Sequence, residues 1–243
     1  MNCLIFFSNE RDEKDSSSIK LTGARAKRIF EFGQIRKGDR ITIGEFGGLL
    51  GTGEVLTIQA NLCEFQILSL DQRSPELSPL SLWVAIPRPQ MIKKIVYSAA
   101  QLGIKRLNFF RGDLTVKSYT QSKELRPNQI LLRIVEGLEQ ARATLPPQIE
   151  VFSSLSRELP KLSTEELNAT VYADCKGAEV IKPFSQSRYL NTILIGPESG
   201  WSDRERNLFE TLKIEPVSFG ERILRVDLAC AVASSFCHDL KLI

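Results

Sequence analysis

Hydrophobic and polar positions alternate along roughly the first 70 residues of the chain. The alternation is clearest over Ile41–Ile43, Glu54–Ile58 and Cys63–Leu68. Glycines punctuate these runs at Gly44, Gly47, Gly48, Gly51 and Gly53. Short alternating runs separated by glycine turns predict β-strands in a small barrel or meander. Ala24–Phe32 differs from its surroundings and predicts one short helix.

The pattern changes after a polar break at residues 71–79, which contains Pro75 and Pro79. We expect a domain boundary there, giving domains of residues 1–72 and 73–243. Beyond it, apolar runs alternate with amphipathic stretches, which is typical of an α/β domain with a mostly parallel sheet. The predicted strands are Leu80–Ile86, Lys105–Phe110, Val151–Phe152, Ala169–Ala173, Thr192–Ile195 and Pro216–Phe219, and the predicted helices are Gln90–Leu102, Pro127–Ala143 and Leu228–Leu240.

Composition narrows the function mainly by exclusion. The net charge is only +3, which is too small to indicate a nucleic-acid partner by itself. The 5 cysteines are scattered and share the chain with a single histidine, His238, so we expect no metal site and no disulfide framework. No stretch approaches the roughly 20 apolar residues that span a bilayer, and the N-terminus lacks the basic segment of a secretory signal. We therefore expect a cytoplasmic protein that does not bind membranes.

One segment combines a strand, a glycine turn and a helix start. The apolar run Thr192–Ile195 ends at Gly196, and a turn through Gly200 leads to Ser202. Ser202 with Glu205 three residues later is a capping-box pattern, so a helix is expected to begin there. This layout directs backbone N–H groups and a helix N-terminus toward a ligand, and the glycines permit close approach. Taken alone, the segment fits an ordinary strand-to-helix turn equally well.

A second segment follows about twenty residues later. There a short predicted strand meets Gly220, and Arg222 and Arg225 follow. The two arginines are placed to bind phosphate, or they form an exposed pair neutralised by Glu221 and Asp227. The residues alone favour neither interpretation.

Together the two segments resemble a known pair of motifs. Ile195–Trp201 reads IGPESGW and Phe219–Ala229 reads FGERILRVDLA, similar to the IGPEGG(F/L) and LGxRILRxETA motifs of the RsmE family. That family comprises 16S rRNA uridine-N3 methyltransferases of the SPOUT class. The resemblance implies an N-terminal PUA-like β-barrel that binds RNA and a C-terminal SPOUT α/β domain with a deep trefoil knot. It also implies S-adenosyl-L-methionine as cofactor, rRNA of the small ribosomal subunit as partner, and a homodimer.

The same resemblance assigns roles to individual residues. Two loops and the end of an earlier strand would hold the cofactor, with Leu224 near the adenine. The implied cofactor-binding residues are Ala173, Ile195, Gly196, Pro197, Glu198, Gly200, Gly220, Ile223, Leu224 and Arg225. For catalysis, Arg225 or Arg222 would stabilise the negative charge that develops on the uracil as N3 loses its proton. Asp227 is the nearest carboxylate, and it fits a catalytic role or a cap of the final helix.

RNA contacts are expected from basic side chains in both domains, although each one alone also fits a solvated surface charge. These side chains are Arg25, Lys27, Arg28, Arg36, Lys37, Arg40, Lys93, Lys94, Lys105, Arg106 and Lys117. Tyr119, close to Lys117 in the sequence, fits either a base-stacking role or a core position.

Some positions depart from the family pattern. Ser199 replaces a glycine, Val226–Asp227 replaces Thr-Glu, and Ser98–Gly103 lacks both charges of the family's Lys-x-x-Glu-Leu-Gly helix end. Two alternatives therefore stay open. One is a SPOUT methyltransferase for another rRNA or tRNA nucleotide, and the other is a non-catalytic RNA-binding or ribosome-assembly protein of the same fold. An oxidoreductase is disfavoured because no dinucleotide fingerprint follows the first strand of the second domain.

Overall fold

A computed structural model describes residues 2–175 and 190–235, together with the backbone of residues 179–180. The chain divides into two compact units. One contains residues 1–76 and 135–146, and the other contains residues 77–134 and 147–243. The first unit thus includes a later segment that sequence patterns did not assign to it. The division into domains 1–72 and 73–243 stays a prediction.

The first unit is built on a five-stranded sheet in the order β1-β3-β4-β5-β2. Its strands are β1 (Leu4–Phe6), β2 (Ser18–Thr22), β3 (Arg40–Glu45), β4 (Leu50–Ile58) and β5 (Leu62–Gln72). β1 pairs with β3 in parallel and the other pairs are antiparallel. The predicted helix is confirmed as α1 (Gly23–Phe32), and its buried Ala26 and Ile29 join a core with Leu4, Phe6 and Phe65.

Some of the glycines expected in turns lie inside strands instead. Gly44 is in β3, and Gly51 and Gly53 are in β4. A Cβ on Gly51 would lie 1.9 Å from the carbonyl oxygen of Ser69 in β5, so a glycine is needed where these backbones approach. Gly47 does occupy a turn, with φ +76°. The turn prediction was therefore wrong for the strand glycines, because their role depends on the neighbouring strand.

The second unit contains a seven-stranded sheet in the order β10-β12-β9-β11-β6-β7-β8. Its strands are β6 (Ser78–Ala85), β7 (Ile104–Phe110), β8 (Gln148–Phe152), β9 (Thr170–Ala173), β10 (Glu179–Val180), β11 (Thr192–Ile195) and β12 (Glu215–Ser218). Every pair in this sheet is parallel. The predicted α/β class and parallel sheet are therefore confirmed.

Helices lie between these strands and, in the case of α7, after the last of them. They are α2 (Pro89–Gln101), α3 (Pro127–Ala141), α4 (Leu155–Glu158), α5 (Thr164–Asn168), α6 (Asp203–Thr211) and α7 (Val226–Ser235), and short 3-10 helices include Lys117–Gln121 and Lys123–Leu125. Within the described part of the chain, no helix has both the length and the apolar character needed to cross a membrane.

The boundaries of the last two helices bear on the predicted site. α6 begins at the expected capping box: Ser202 Oγ accepts from Glu205 N, and Glu205 Oε2 accepts from Ser202 N. α7 begins at Val226, two residues before its predicted start, and its first turn includes Asp227. The rest of that predicted helix, with Cys237 and His238, lies outside the described residues.

The order of the parallel strands determines which loops can meet. β11 lies between β9 and β6, and β12 lies on the other side of β9. The carboxyl ends of parallel strands open at the same edge of a sheet, where α/β proteins bind ligands. The segments that follow β6, β9, β11 and β12 are therefore neighbours there.

Candidate functional site

Segments after four parallel strands line one cavity of about 930 Å³. They follow β6, β9, β11 and β12, and thus lie at the carboxyl edge of the sheet. Every residue that the family resemblance assigned to cofactor binding lines this cavity. The fold therefore brings the two motifs and the end of β9 together, although they are far apart in sequence.

The loop after β11 forms one wall of the cavity. It turns through Gly200, whose N–H donates to the Pro197 carbonyl at 2.8 Å and whose φ is +80°. No atom lies within 4 Å of a Cβ built on Gly200. At Gly196, a Cβ would lie 3.0 Å from the Trp201 ring, so the loop packs closely on that indole.

The loop after β12 forms another part of the cavity wall. Gly220 has φ +111°, with no atom within 4 Å of an added Cβ, and its N–H donates to Ser218 Oγ at 3.2 Å. Past it, Ile223 is 87% exposed, whereas Leu224 is partly buried. This loop therefore presents an open backbone turn and apolar side chains to the cavity.

The end of β9 connects both loops. The Trp201 Nε1–H donates to the Ala173 carbonyl at 2.8 Å, and Asp174 N–H donates to the Val217 carbonyl at 2.8 Å. The side chain of Asp174 is 6% exposed and forms an ion pair with Arg206 of α6. The three segments thus form one hydrogen-bonded assembly around the cavity.

The predicted catalytic residues are arranged unequally. Arg225 and Arg222 line the cavity, but Asp227 lies outside the set of lining residues. The Asp227 carboxylate accepts from Arg225 Nη2 at 3.0 Å and lies 3.9 Å from Lys94 Nζ of α2. The Asp227 side chain is 10% exposed, against 61% for Arg225. Asp227 therefore binds the guanidinium of a cavity-lining residue without lining the cavity itself.

Sequence patterns missed part of the cavity wall. Arg88 and the first residues of α2 line it, and Arg88 N–H donates to Glu198 Oε1 at 3.3 Å. Trp201 also lines the cavity. Arg88 follows the end of the apolar strand β6. This position indicates a cavity-lining residue only once β6 is known to pair with β11. In the described ranges, no group of three or more His, Cys, Asp and Glu side chains is arranged to hold a metal.

A polar cluster fixes the segment after β7 to the start of α6. The Asp113 carboxylate accepts from Ser202 Oγ at 2.7 Å and from Arg204 Nε at 2.9 Å, and Asp113 N–H donates to Glu205 Oε1 at 3.0 Å. The Arg204 guanidinium and the Ser202 hydroxyl hold the pKa of Asp113 below its usual range. The segment leads into the 3-10 helix that carries Tyr119, which lines the cavity.

The basic side chains expected to contact RNA fall into two groups. Several form ion pairs inside their own unit: Arg25 with Glu10, Arg28 with Glu136 and Glu139, Lys27 with Glu31, and Lys93 with Glu124. The remaining ones are exposed, namely Arg36, Lys37, Arg40, Lys94, Lys105, Arg106 and Lys117. Lys94 also lies within ion-pair distance of Asp227, and Lys27 is exposed although it pairs with Glu31. RNA contact by these side chains stays a prediction.

Comparison with known proteins places this site in a family context. A family model described as RNA methyltransferase domain matches residues 74–238. Ribosomal RNA small subunit methyltransferase E 1 of Borreliella burgdorferi is 24% identical, covering 96% of this chain and 96% of that protein. Ribosomal RNA small subunit methyltransferase E of Treponema pallidum is 23% identical, covering 98% of this chain and 92% of that protein.

A solved structure is similar over nearly the full length. It is the ribosomal RNA small subunit methyltransferase E from Neisseria gonorrhoeae bound to S-adenosyl methionine. The TM-score is 0.76 at 18% identity, covering 96% of this chain and 95% of that chain. At this identity the likeness shows a shared fold.

Proposed function

Because the chain belongs to the RNA methyltransferase domain family, we propose that it transfers a methyl group from S-adenosylmethionine to ribosomal RNA. The RsmE resemblance of its two motifs is confirmed by the relatives that match along nearly the whole chain. The observation that carries the proposal is the single cavity in which both motifs meet.

The cavity fits the proposed cofactor. Its volume of about 930 Å³ lies within the range of small-molecule sites, about 300–1,000 Å³. Gly200 and Gly220 combine positive φ with open space where a side chain would project, so a ligand can approach their backbones. Ile195 and Leu224 offer apolar contacts for an adenine ring, and Glu198 and Arg225 add polar groups.

The chemistry requires little covalent work from the protein. When bound, S-adenosylmethionine supplies an electrophilic methyl group. The side chains of the protein hold the nucleophilic nitrogen of the RNA base in line with this methyl group and exclude water. For the finer specificity we propose N3 of a uridine in small-subunit rRNA, which must lose a proton as it reacts.

Arg225 is the residue that we assign to this step. Its guanidinium lines the cavity and donates to Asp227, which is anchored against α2 near Lys94. A fixed positive charge there stabilises the negative charge that develops on the uracil. Asp227 keeps the guanidinium in position, and Arg222, exposed on the same wall, provides a second cation.

The proposal extends to architecture and assembly. Residues 1–72 would form a PUA-like barrel that binds RNA, and residues 73–243 a knotted SPOUT domain. The apolar side chains Ile223 and Leu228, 87% and 48% exposed, support a homodimer because a second copy would cover them. Light scattering on the purified protein tests the dimer.

Methylation of purified rRNA by the wild type and by Arg225→Ala tests the proposal. We expect transfer to small-subunit rRNA, mapped to one uridine by mass spectrometry, and a fall in kcat of about 10²–10³-fold in the variant. Arg157→Ala is the control, because Arg157 is exposed, lies outside the set of cavity-lining residues and is not among the side chains expected to contact RNA. Transfer to large-subunit rRNA would change the substrate assignment, and a wild type that binds RNA without methylating it would support the RNA-binding alternative.

A further inference from the structure

The cavity has a wall that belongs to neither motif. Tyr119 lies in the middle of the 3-10 helix Lys117–Gln121, is partly buried, and lines the same cavity as the cofactor loops. Its backbone is held by its own turn: Tyr119 N–H donates to the Val116 carbonyl at 2.9 Å, and Ser122 N–H donates to the Tyr119 carbonyl at 3.1 Å. The ring therefore sits on an ordered support at the cavity and outside the main apolar core.

That support is joined to the first motif. Asp113, a few residues before Tyr119, bonds to Ser202, Arg204 and Glu205 at the start of α6. α6 follows directly on the loop that contains Gly200. The segment that leads to Tyr119 is thus anchored, at Asp113, to the helix that follows the loop that we assign to the cofactor.

The size and charge of the cavity leave a role for this wall. A volume of about 930 Å³ is near the upper end for a small-molecule site, and the proposed reaction must bring a nucleobase against the cofactor. Arg88 and Arg222 line the cavity together with Tyr119, and Lys117 is exposed on the same 3-10 helix. A ring combined with cations is the combination that binds unstacked bases and their phosphates.

We infer that Tyr119 is the surface on which the target base stacks while it is methylated, and that Lys117 binds the adjoining phosphate. This inference rests on the proposed methyltransferase function and assigns a residue to its RNA substrate. A base that leaves its helix loses stacking partners, and an aromatic ring on the cavity wall replaces one of them. Tyr119 is then a substrate-binding residue with no part in holding the cofactor.

Steady-state kinetics of Tyr119→Ala and Tyr119→Phe, with an RNA oligonucleotide as the varied substrate, test the inference. We expect Tyr119→Ala to raise KM for RNA about 5- to 150-fold, the range that base–aromatic stacking supports, and Tyr119→Phe to stay within about 2-fold of wild type. The Kd for S-adenosylmethionine, measured by calorimetry without RNA, and Tm should stay near wild type in both. Tyr97→Ala, at a partly buried tyrosine outside the set of cavity-lining residues, is the matched control and should leave KM for RNA unchanged.

Several results would overturn the inference. An unchanged KM in Tyr119→Ala would exclude stacking, while the proposed function would stand if the wild type methylates RNA. A loss in Tyr119→Ala that comes with lower Tm and weaker cofactor binding would assign Tyr119 to structural packing. Equal losses in Tyr119→Phe and Tyr119→Ala would assign the effect to the hydroxyl group, because the phenyl ring retains the stacking surface. If the wild type neither binds the cofactor nor methylates RNA, the proposed function fails and this inference falls with it.

Discussion

The indole Nε1–H of Trp201 donates a hydrogen bond of 2.8 Å to the backbone carbonyl of Ala173. This bond joins the loop after β11 to the end of β9, two segments that both line the cavity. The indole is 6% exposed and packs edge-on against Phe209, with ring centroids 4.9 Å apart. The family motif has Phe or Leu at this position, and neither side chain can donate such a bond.

Trp201→Phe is expected to weaken cofactor binding while the fold persists. The phenyl ring retains most of the packing, but the Ala173 carbonyl loses its donor, which costs about 0.5–1.5 kcal/mol or roughly a 2- to 12-fold rise in Kd. Calorimetry with S-adenosylmethionine measures this rise. Trp83→Phe is the control, since Trp83 is buried in β6 outside the set of cavity-lining residues. Equal Kd values for Trp201→Phe and wild type would contradict a role for this bond.

The folding stability of Asp113→Asn should fall less between neutral and acid pH than that of the wild type. The pKa of Asp113 is lowered by Arg204 and Ser202, so its contribution to stability is present above the unfolded pKa, about 3.9, and is lost as pH falls through the lower folded pKa. The variant lacks this contribution at neutral pH and therefore loses less between pH 7 and pH 2. Thermal unfolding across that range measures the difference. An unchanged pH dependence in the variant would rule out the contribution, and an additive loss in the double variant with Arg204→Gln would argue against coupling.

Among the four cysteines that the structure describes, Cys175 should be the thiol that reports cofactor binding. It is exposed and lines the cavity, whereas Cys3, Cys63 and Cys230 are buried. Burial raises the pKa of the Cys3 thiol to about 12 and also raises that of Cys230, so both should react slowly. We expect saturating S-adenosylmethionine to slow alkylation of Cys175 by about tenfold or more, because only the unliganded fraction reacts. Peptide mass spectrometry measures the rate, with Cys175→Ser as control, and a rate independent of the cofactor would place the ligand elsewhere.

Arg28→Ala should destabilise the protein. Arg28 Nη2 donates to Glu139 Oε2 at 2.6 Å, and the Glu139 side chain is 5% exposed, so burial raises the pKa of that carboxyl. Breaking the pair should cost about 1–3 kcal/mol, less than for a fully buried pair because 33% of the Arg28 side chain is exposed. Lys27→Ala should change stability by less than about 0.5 kcal/mol, since its partner Glu31 is also exposed. Urea unfolding measures the free energy of unfolding of both variants. Equal values for Arg28→Ala and Lys27→Ala would contradict a structural role for the pair and leave Arg28 as a candidate RNA contact.

Local patterns predicted the local parts of the site. The capping box at Ser202 and the strand Thr192–Ile195 depend on residues within a few positions of each other, and both are confirmed. The parallel sheet followed from alternating strands and helices, but its strand order did not. The order decides that Arg88 faces Glu198, so that contact was not predictable from the pattern of either segment.

Long-range partners account for the other differences. The sequence pattern placed Arg28 among the surface cations because its partner Glu139 is 111 residues away. The sequence pattern predicted a turn at Gly51. The residue is a glycine because a Cβ would collide with the Ser69 carbonyl on a neighbouring strand. In both cases the determining atom belongs to another element, and a sequence window cannot contain it.

The central claim is that the two motif loops hold S-adenosylmethionine, and calorimetry with Gly200→Arg tests it most directly. Gly47→Arg is the matched control: φ is +76° at Gly47 and +80° at Gly200, both have open space around an added Cβ, and Gly47 lies in the first unit. We predict micromolar binding for the wild type and Gly47→Arg, and no measurable binding for Gly200→Arg at similar Tm. Undiminished binding in Gly200→Arg would contradict the claim.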